Sequence, residues 1–129
     1  MLRTLAVILT LALAGSAFAH SDSKWTKGPQ GGHIVDAGGG KQHWELVANG
    51  NELTLYVLDA SEKPVNVAGG SAKGQVLLGG KTHNVEFKPA SDNILKATGD
   101  FTAKKGMRVI VKTDKVGGQS FQARLAPLN

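Results

Sequence analysis

The chain has 129 residues, and its 15 Lys and Arg outnumber 10 Asp and Glu to give a formal net charge of +5. It contains no Cys, which excludes disulfides, thiolate metal sites and thiol catalysis. The Lys residues are spread along the chain, and aromatic residues make up only 5% of it. A nucleic-acid-binding surface needs a concentrated basic stripe with stacking aromatics, so we expect no nucleic-acid partner.

Residues 1–19 have the pattern of a secretory signal peptide. A positively charged start precedes a short apolar run over residues 5–13, and Ala17 and Ala19 provide the small residues of a cleavage site. The run is too short for a permanent membrane span. We therefore expect cleavage after Ala19 and export to the bacterial periplasm. The mature chain would begin with His20 and would not be inserted in the membrane.

The mature chain is predicted to consist of a flexible lead-in and one folded domain. Residues 20–31 are polar apart from Trp25, which is expected to pack on the domain. The domain then covers residues 32–129, a length that suits one modest hydrophobic core.

Glycine pairs divide this domain into short segments in which apolar and polar residues alternate, as in half-buried antiparallel strands. The predicted strands cover residues 33–36, 43–48, 53–58, 75–78, 82–87, 94–97, 107–113 and 120–125. No segment shows a capped helical period. Seven or eight short strands predict an all-β domain, an immunoglobulin-like antiparallel β-sandwich, with a small β-barrel as the alternative.

Strand alternation also predicts which side chains face the core. On the strand over residues 43–48, Trp44 and Leu46 are expected inside, whereas His43 and Glu45 are expected on the opposite face. On the next strand, the inward residues are predicted to be Leu53, Leu55 and Val57.

All four His residues follow the predicted cleavage site, and imidazole is the commonest side-chain ligand of transition metals. An N-terminal His20 would offer its α-amine and its imidazole as one chelate. His33 and His43 lie on two strands predicted to be adjacent, so they can form a site together with Glu45 or Asp36. For each residue, the alternative is an ordinary structural or surface role.

His83 is the fourth candidate ligand, although it shares a strand face with Val85 and Phe87 and also suits a partly buried structural position. Without Cys, the available donors are nitrogen and carboxylate oxygen. These favour a divalent metal, Cu(II), Zn(II) or Ni(II), over Cu(I).

Catalytic motifs are not evident. Ser71 and Ser120 lack a Gly-x-Ser-x-Gly setting, and no glycine pair continues into the Gly-Lys-Ser/Thr of a phosphate loop. The sequence therefore predicts a protein that is not an enzyme.

Four motifs carry a resemblance to known proteins. They are Gly-Gly-His-Ile-Val at 31–35, His-Trp-Glu-Leu-Val at 43–47, Leu-Tyr-Val-Leu-Asp at 55–59 and Lys-Pro-Val at 63–65. The chain resembles small exported bacterial β-proteins that are similar to the N-terminal periplasmic domain of heavy-metal efflux adaptor proteins of the resistance-nodulation-division type. The resemblance continues through residues 85–95 and implies an independent periplasmic sandwich associated with metal handling.

Two functions are compatible with these observations. The first is a soluble periplasmic metal-binding carrier or buffer that is associated with metal efflux or resistance, with the metal ion and a periplasmic efflux component as partners. The alternative is a non-catalytic structural or interaction module that docks on an envelope protein. Outward-facing Tyr56 and Leu58, beside inward Leu55 and Val57, favour this alternative.

Overall fold

The computed structural model describes residues 25–129, so the predicted signal peptide, its cleavage site and His20 lie outside the described residues. Eight antiparallel strands follow one another in the chain: β1 (His33–Ala37), β2 (Gln42–Asn49), β3 (Glu52–Asp59), β4 (Ser71–Leu78), β5 (Lys81–Ser91), β6 (Ile94–Thr98), β7 (Arg108–Asp114) and β8 (Gln122–Leu125). The predicted all-β class is confirmed. Nothing within residues 25–129 is a helix of the length and hydropathy that a membrane span requires.

The strands form one continuous sheet in the order β1-β2-β3-β6-β5-β4-β7-β8. The long strand β5 belongs to both halves of this sheet, because its first part pairs with β4 and its last part pairs with β6. The pairing with β6 is irregular between Pro89 and Ser91. A bulge bends a strand and suits proline, which has no N–H to donate to the ladder. β5 thus turns the corner between the two halves.

The two edges of the sheet, β1 and β8, lie against each other. The sheet is therefore nearly closed around a single core, which corresponds to the barrel alternative of the prediction. Its two halves remain consistent with the sandwich-like all-β class, but they are joined through β5 rather than separate.

All eight strands contribute inward side chains to the core; β1 contributes Ala37, and its partly buried Val35 packs against the core. Its largest fully buried members are Trp44, Phe87, Leu46, Leu53, Leu55, Leu95, Met107 and Leu125. All five inward residues predicted for β2 and β3 are buried. The indole of Trp44 donates to Gln42 Oε1 at 2.9 Å, and Gln42 Nε2 donates to the Val116 carbonyl at 2.9 Å. These bonds satisfy the polar atoms that the packing of Trp44 buries.

Two strands extend four residues beyond a predicted end. β4 begins at Ser71 rather than at residue 75, and β5 continues to Ser91 rather than ending at residue 87. Gly74 lies inside β4, where its missing side chain leaves room for Phe87 and Val85 of β5. In the sequence, this glycine interrupts the alternation of apolar and polar residues. In the structure, its missing side chain allows close packing inside the strand.

Candidate functional site

The segment before β1 is held against the outer face of β2 by Glu45. The Glu45 carboxylate accepts hydrogen bonds from the backbone N–H of Gln30 at 2.8 Å and of Gly32 at 2.9 Å. Glu45 is only 3% exposed. A Cβ at Gly28 would collide with this carboxylate, so the segment requires glycine there. The carboxylate that the sequence analysis assigns to a metal site is thus engaged by backbone N–H groups.

His33 takes part in closing the sheet. Its Nδ1 accepts a hydrogen bond from the backbone N–H of Ala126 at 2.8 Å. The ring of Trp25 stacks on the His33 ring, with 5.8 Å between centroids, and the Trp25 indole donates to the Ala126 carbonyl at 2.6 Å. Ala126 directly follows β8, so these side chains bind backbone groups at the seam between β1 and β8.

The described part of the predicted flexible lead-in, residues 25–31, is therefore fixed at both ends. At its start, Trp25 is bound at the seam, and the Thr26 carbonyl accepts the Ile34 N–H at 3.0 Å. Toward its end, Gln30 is bound to Glu45.

The electrostatic surroundings of His33 favour its neutral form. Burial lowers the pKa of His33, and the nearby positive charge of Arg108 lowers it further. Because Nδ1 accepts the Ala126 N–H, the proton of the neutral ring is on Nε2. Neither ring nitrogen then offers a lone pair to a metal while this bond is in place.

The register of the β1–β2 pair separates His33 from His43. His33 pairs with Leu46, which faces the core, whereas His43 pairs with Asp36. Paired residues share a face and successive residues alternate between faces, so His33 and His43 are on opposite sides of the sheet. The structure does not bring these two candidate ligands together.

The structure does place His43 in contact with Asp36. His43 Nδ1 lies 2.7 Å from Asp36 Oδ1, and the exposed fractions of the two side chains are 22% and 70%. The half-buried Leu58 stands opposite His43 on β3. When Nδ1 carries the proton shared with the carboxylate, Nε2 carries the lone pair. Histidines that bind metals are commonly oriented in this way by a carboxylate.

His83 lies away from this pair. Two strands, β3 and β6, separate β5 from β2 in the sheet. The His83 ring is half-buried, with its centroid 6.2 Å from that of Phe101. It lines a shallow, open depression of the surface together with Lys81, Asp100 and Lys104. This position matches the partly buried alternative of the sequence analysis.

The candidate residues of the described part are therefore distributed over four places: Glu45, His33, His83 and the Asp36–His43 pair. That pair is the one contact between two of them. In the part of the chain that the structure describes, no three His, Cys, Asp or Glu side chains are grouped closely enough to hold a metal ion. His20 lies outside that part.

The outward residues Tyr56 and Leu58 of β3 are half-buried rather than freely exposed. Tyr56 stands between Glu45 on β2 and Ile94 on β6. The side chains on neighbouring strands thus cover part of Tyr56 and Leu58. The apolar surface that β3 exposes for docking is correspondingly smaller.

The sequence reasoning missed the closure of the sheet by Trp25, His33 and Ala126. No local pattern connects residues that are about 100 positions apart in the chain. The Asp36–His43 contact has a clearer signal, because the two residues are symmetrically placed around the glycines at 38–40 and so pair in a hairpin.

Comparisons with protein-family models, with curated proteins and with solved structures gave no match for this chain. The resemblance to efflux-adaptor domains therefore stays a prediction.

Proposed function

We propose that the protein binds a divalent transition metal, Cu(II), Zn(II) or Ni(II), as a non-catalytic carrier or buffer. The observation that carries the proposal is the 2.7 Å contact between His43 Nδ1 and Asp36 Oδ1. The carboxylate orients the ring and favours the tautomer in which Nε2 carries the lone pair that a metal binds. Nε2 of His43 is the ligand that the folded domain contributes.

One imidazole holds such a metal only weakly, so further ligands are needed. His20 supplies two nitrogen donors if the chain is cleaved after Ala19. Five residues of extended chain span at most about 17 Å. Trp25 is bound beside His33, and the three-residue step from His33 to Asp36 along β1 is about 10 Å. The reach of the chain before Trp25 exceeds that step along β1, and we propose that His20 joins His43 as a second ligand.

The cellular setting of this proposal comes from the sequence. The signal-peptide pattern supports export to the periplasm, and the resemblance to adaptor domains supports an association with metal efflux. The alternative role, docking on a partner protein, concerns a different surface.

The proposal is tested by calorimetric titration of the protein that begins at His20 with Cu(II), Zn(II) and Ni(II). We expect His43→Ala to weaken binding of the preferred metal at least about tenfold, or about 1.4 kcal/mol. Asp36→Asn should weaken binding by a smaller factor because it disturbs only the orientation of the ring. His83→Ala is the matched control and should leave the affinity unchanged. Equal affinities for all four proteins would refute the assignment of His43.

A further inference from the structure

The outer face of β4, β7 and β8 combines an apolar centre with a basic rim. Ile110, on β7, is half-buried at its middle. Arg108 and Lys112 flank it two residues away on the same strand, and Arg124 of β8 is its direct cross-strand neighbour. Gln75 of β4 is the neighbour on the other side. An apolar residue of the sheet surface is thus surrounded on three sides by cations.

Leu77 extends the apolar centre toward β4. At 38% exposure, it is the one large hydrophobic side chain in the described part of the chain that is classed as exposed. It pairs with Arg108 across the strands and lies diagonally next to Ile110. We call the surface formed by these residues the basic face; it consists of Lys73, Leu77, Arg108, Ile110, Lys112 and Arg124.

The cations of the basic face outnumber the carboxylates beside them, which are Glu86, opposite Lys73 on β5, and Asp114, two residues after Lys112 on β7. Ion pairs in residues 25–129 join His43 to Asp36 and Lys96 to Glu52, so none of the four cations of the basic face is paired with a carboxylate. Lys73 stands directly opposite Lys112. Like charges in that relation destabilise a sheet. A negatively charged partner placed between these lysines would offset their repulsion. Binding of such a partner to the basic face is therefore electrostatically favourable.

A groove of about 710 Å³ runs along the same surface. Its polar lining consists of two Lys residues (Lys73 and Lys112), three side-chain amides (Gln75, Asn84 and Gln122) and one carboxylate (Glu86), and Ile110 is part of its apolar lining. Lysine ammonium groups and amide N–H groups donate hydrogen bonds to carboxylates. The donors of the groove therefore outnumber its one carboxylate, that of Glu86, and they lie beside an apolar surface.

We propose that the basic face binds an extended acidic segment of another protein. Alternate residues on β7 are about 6.8 Å apart, which is also the spacing of alternate side chains in an extended peptide. The row of Arg108, Ile110 and Lys112 thus fits a segment with the pattern acidic-x-apolar-x-acidic. The apolar side chain packs on Ile110 and Leu77, and the carboxylates meet the flanking cations. An apolar centre inside a polar rim is the usual arrangement of a protein interface.

A second copy of this chain is a poorer occupant, because a symmetric contact would place the basic face against its own charges. The inference is independent of metal binding, since neither His43 nor Asp36 belongs to the basic face.

The experiment is a titration of the isotope-labelled protein with a nonapeptide that contains Glu-Thr-Leu-Thr-Glu, followed by NMR, with heparin and polyphosphate as competitors. We expect chemical-shift changes on β4, β7 and β8. The double variant Lys73→Gln/Lys112→Gln should bind the peptide at least about tenfold more weakly. The control Lys63→Gln/Lys104→Gln has the same net charge, alters exposed Lys residues elsewhere and should bind within about twofold of the original protein.

Three outcomes would overturn the proposal. Equal losses in the two double variants would show that only net charge matters. Shifts confined to other strands would place the contact elsewhere. Tighter binding of heparin or polyphosphate than of the peptide at the same face would assign the surface to a polyanion rather than to a protein segment.

Discussion

Glu45 and His33 both use their polar side-chain atoms to bind backbone N–H groups. Glu45 accepts from Gln30 and Gly32, and His33 accepts from Ala126. Backbone groups outside the strand ladders need such partners when they are buried. Glu45 therefore holds the segment before β1, and His33 holds the seam between β1 and β8, where strand pairing provides no hydrogen bonds for these groups. The contribution of each side chain to stability can be measured by single substitutions.

Replacing Glu45 should destabilise the protein. Glu45→Ala leaves the buried N–H of Gly32 and the partly buried N–H of Gln30 without their acceptor, so we expect the free energy of unfolding to fall by about 2 to 3 kcal/mol. Glu45→Gln keeps one oxygen and should cost about half as much. Urea unfolding measures both. Glu52→Ala is the control, because it removes a surface ion pair and should cost less than about 1 kcal/mol. A loss for Glu45→Ala no larger than that of the control would contradict the structural role.

His33 should make stability depend on pH. Burial and Arg108 lower its pKa in the folded state, whereas the unfolded chain has the ordinary value of about 6.5. Below pH 6.5 the unfolded state binds the proton first, so the stabilisation is complete above that pH and is lost as the pH falls toward the folded-state pKa. We expect the free energy of unfolding to decrease from pH 7.5 to pH 5.5.

His33→Phe isolates this contribution. The variant loses the Ala126 bond and should be less stable at neutral pH, but its stability should change less between pH 7.5 and pH 5.5. Urea unfolding at the two pH values gives the comparison. If the original protein and the variant lost the same free energy over this interval, His33 would not be the titrating group.

At the scale of the strand, Gly74 shows how β4 depends on its neighbour. The face of β4 that points inward meets Phe87 and Val85, and a Cβ at Gly74 would lie 2.8 Å from atoms of both side chains. Because the interior is closely packed, these side chains have little room to move away. The missing side chain of Gly74 is thus part of the contact between β4 and β5.

Gly74→Ala should therefore destabilise the protein by about 1 to 3 kcal/mol, which is the usual cost of overpacking a core. Chemical denaturation provides the measurement. Gln75→Ala changes the next residue on the exposed face and should alter stability by no more than about 0.5 kcal/mol. A neutral or stabilising effect of Gly74→Ala would mean that the sheet adjusts easily at this position.

The strands could be predicted because β2 and β3 alternate regularly and turn at Asn49-Gly50. The same alternation could also have shown that His33 and Asp36, an odd number of residues apart, face opposite sides. Other features depend on contacts between distant parts of the chain. The burial of Glu45 requires the segment at residues 28–32 to fold over β2, and the alternating pattern of β2 alone indicates only an outward position.

At the scale of the whole molecule, the sheet is closed by side chains rather than by a complete ladder. Trp25 and His33 bind both backbone groups of Ala126 and thereby join the start of the described chain to its end. The closed structure presents two separate outer surfaces. One contains the Asp36–His43 pair on β1 and β2, and the other is the basic face on β4, β7 and β8. The proposed metal site and the proposed partner surface therefore share no residues.

The central claim, that His43 is the metal ligand of the folded domain, is tested most directly by NMR of the imidazole nitrogens during titration with Zn(II). We predict a large shift of the His43 Nε2 resonance, with Nδ1 remaining protonated against Asp36. The His33 resonances should keep the pattern of a ring that is protonated on Nε2 and accepts at Nδ1. A shift confined to His33 or His83, or no shift at His43 when zinc is in excess, would contradict the claim.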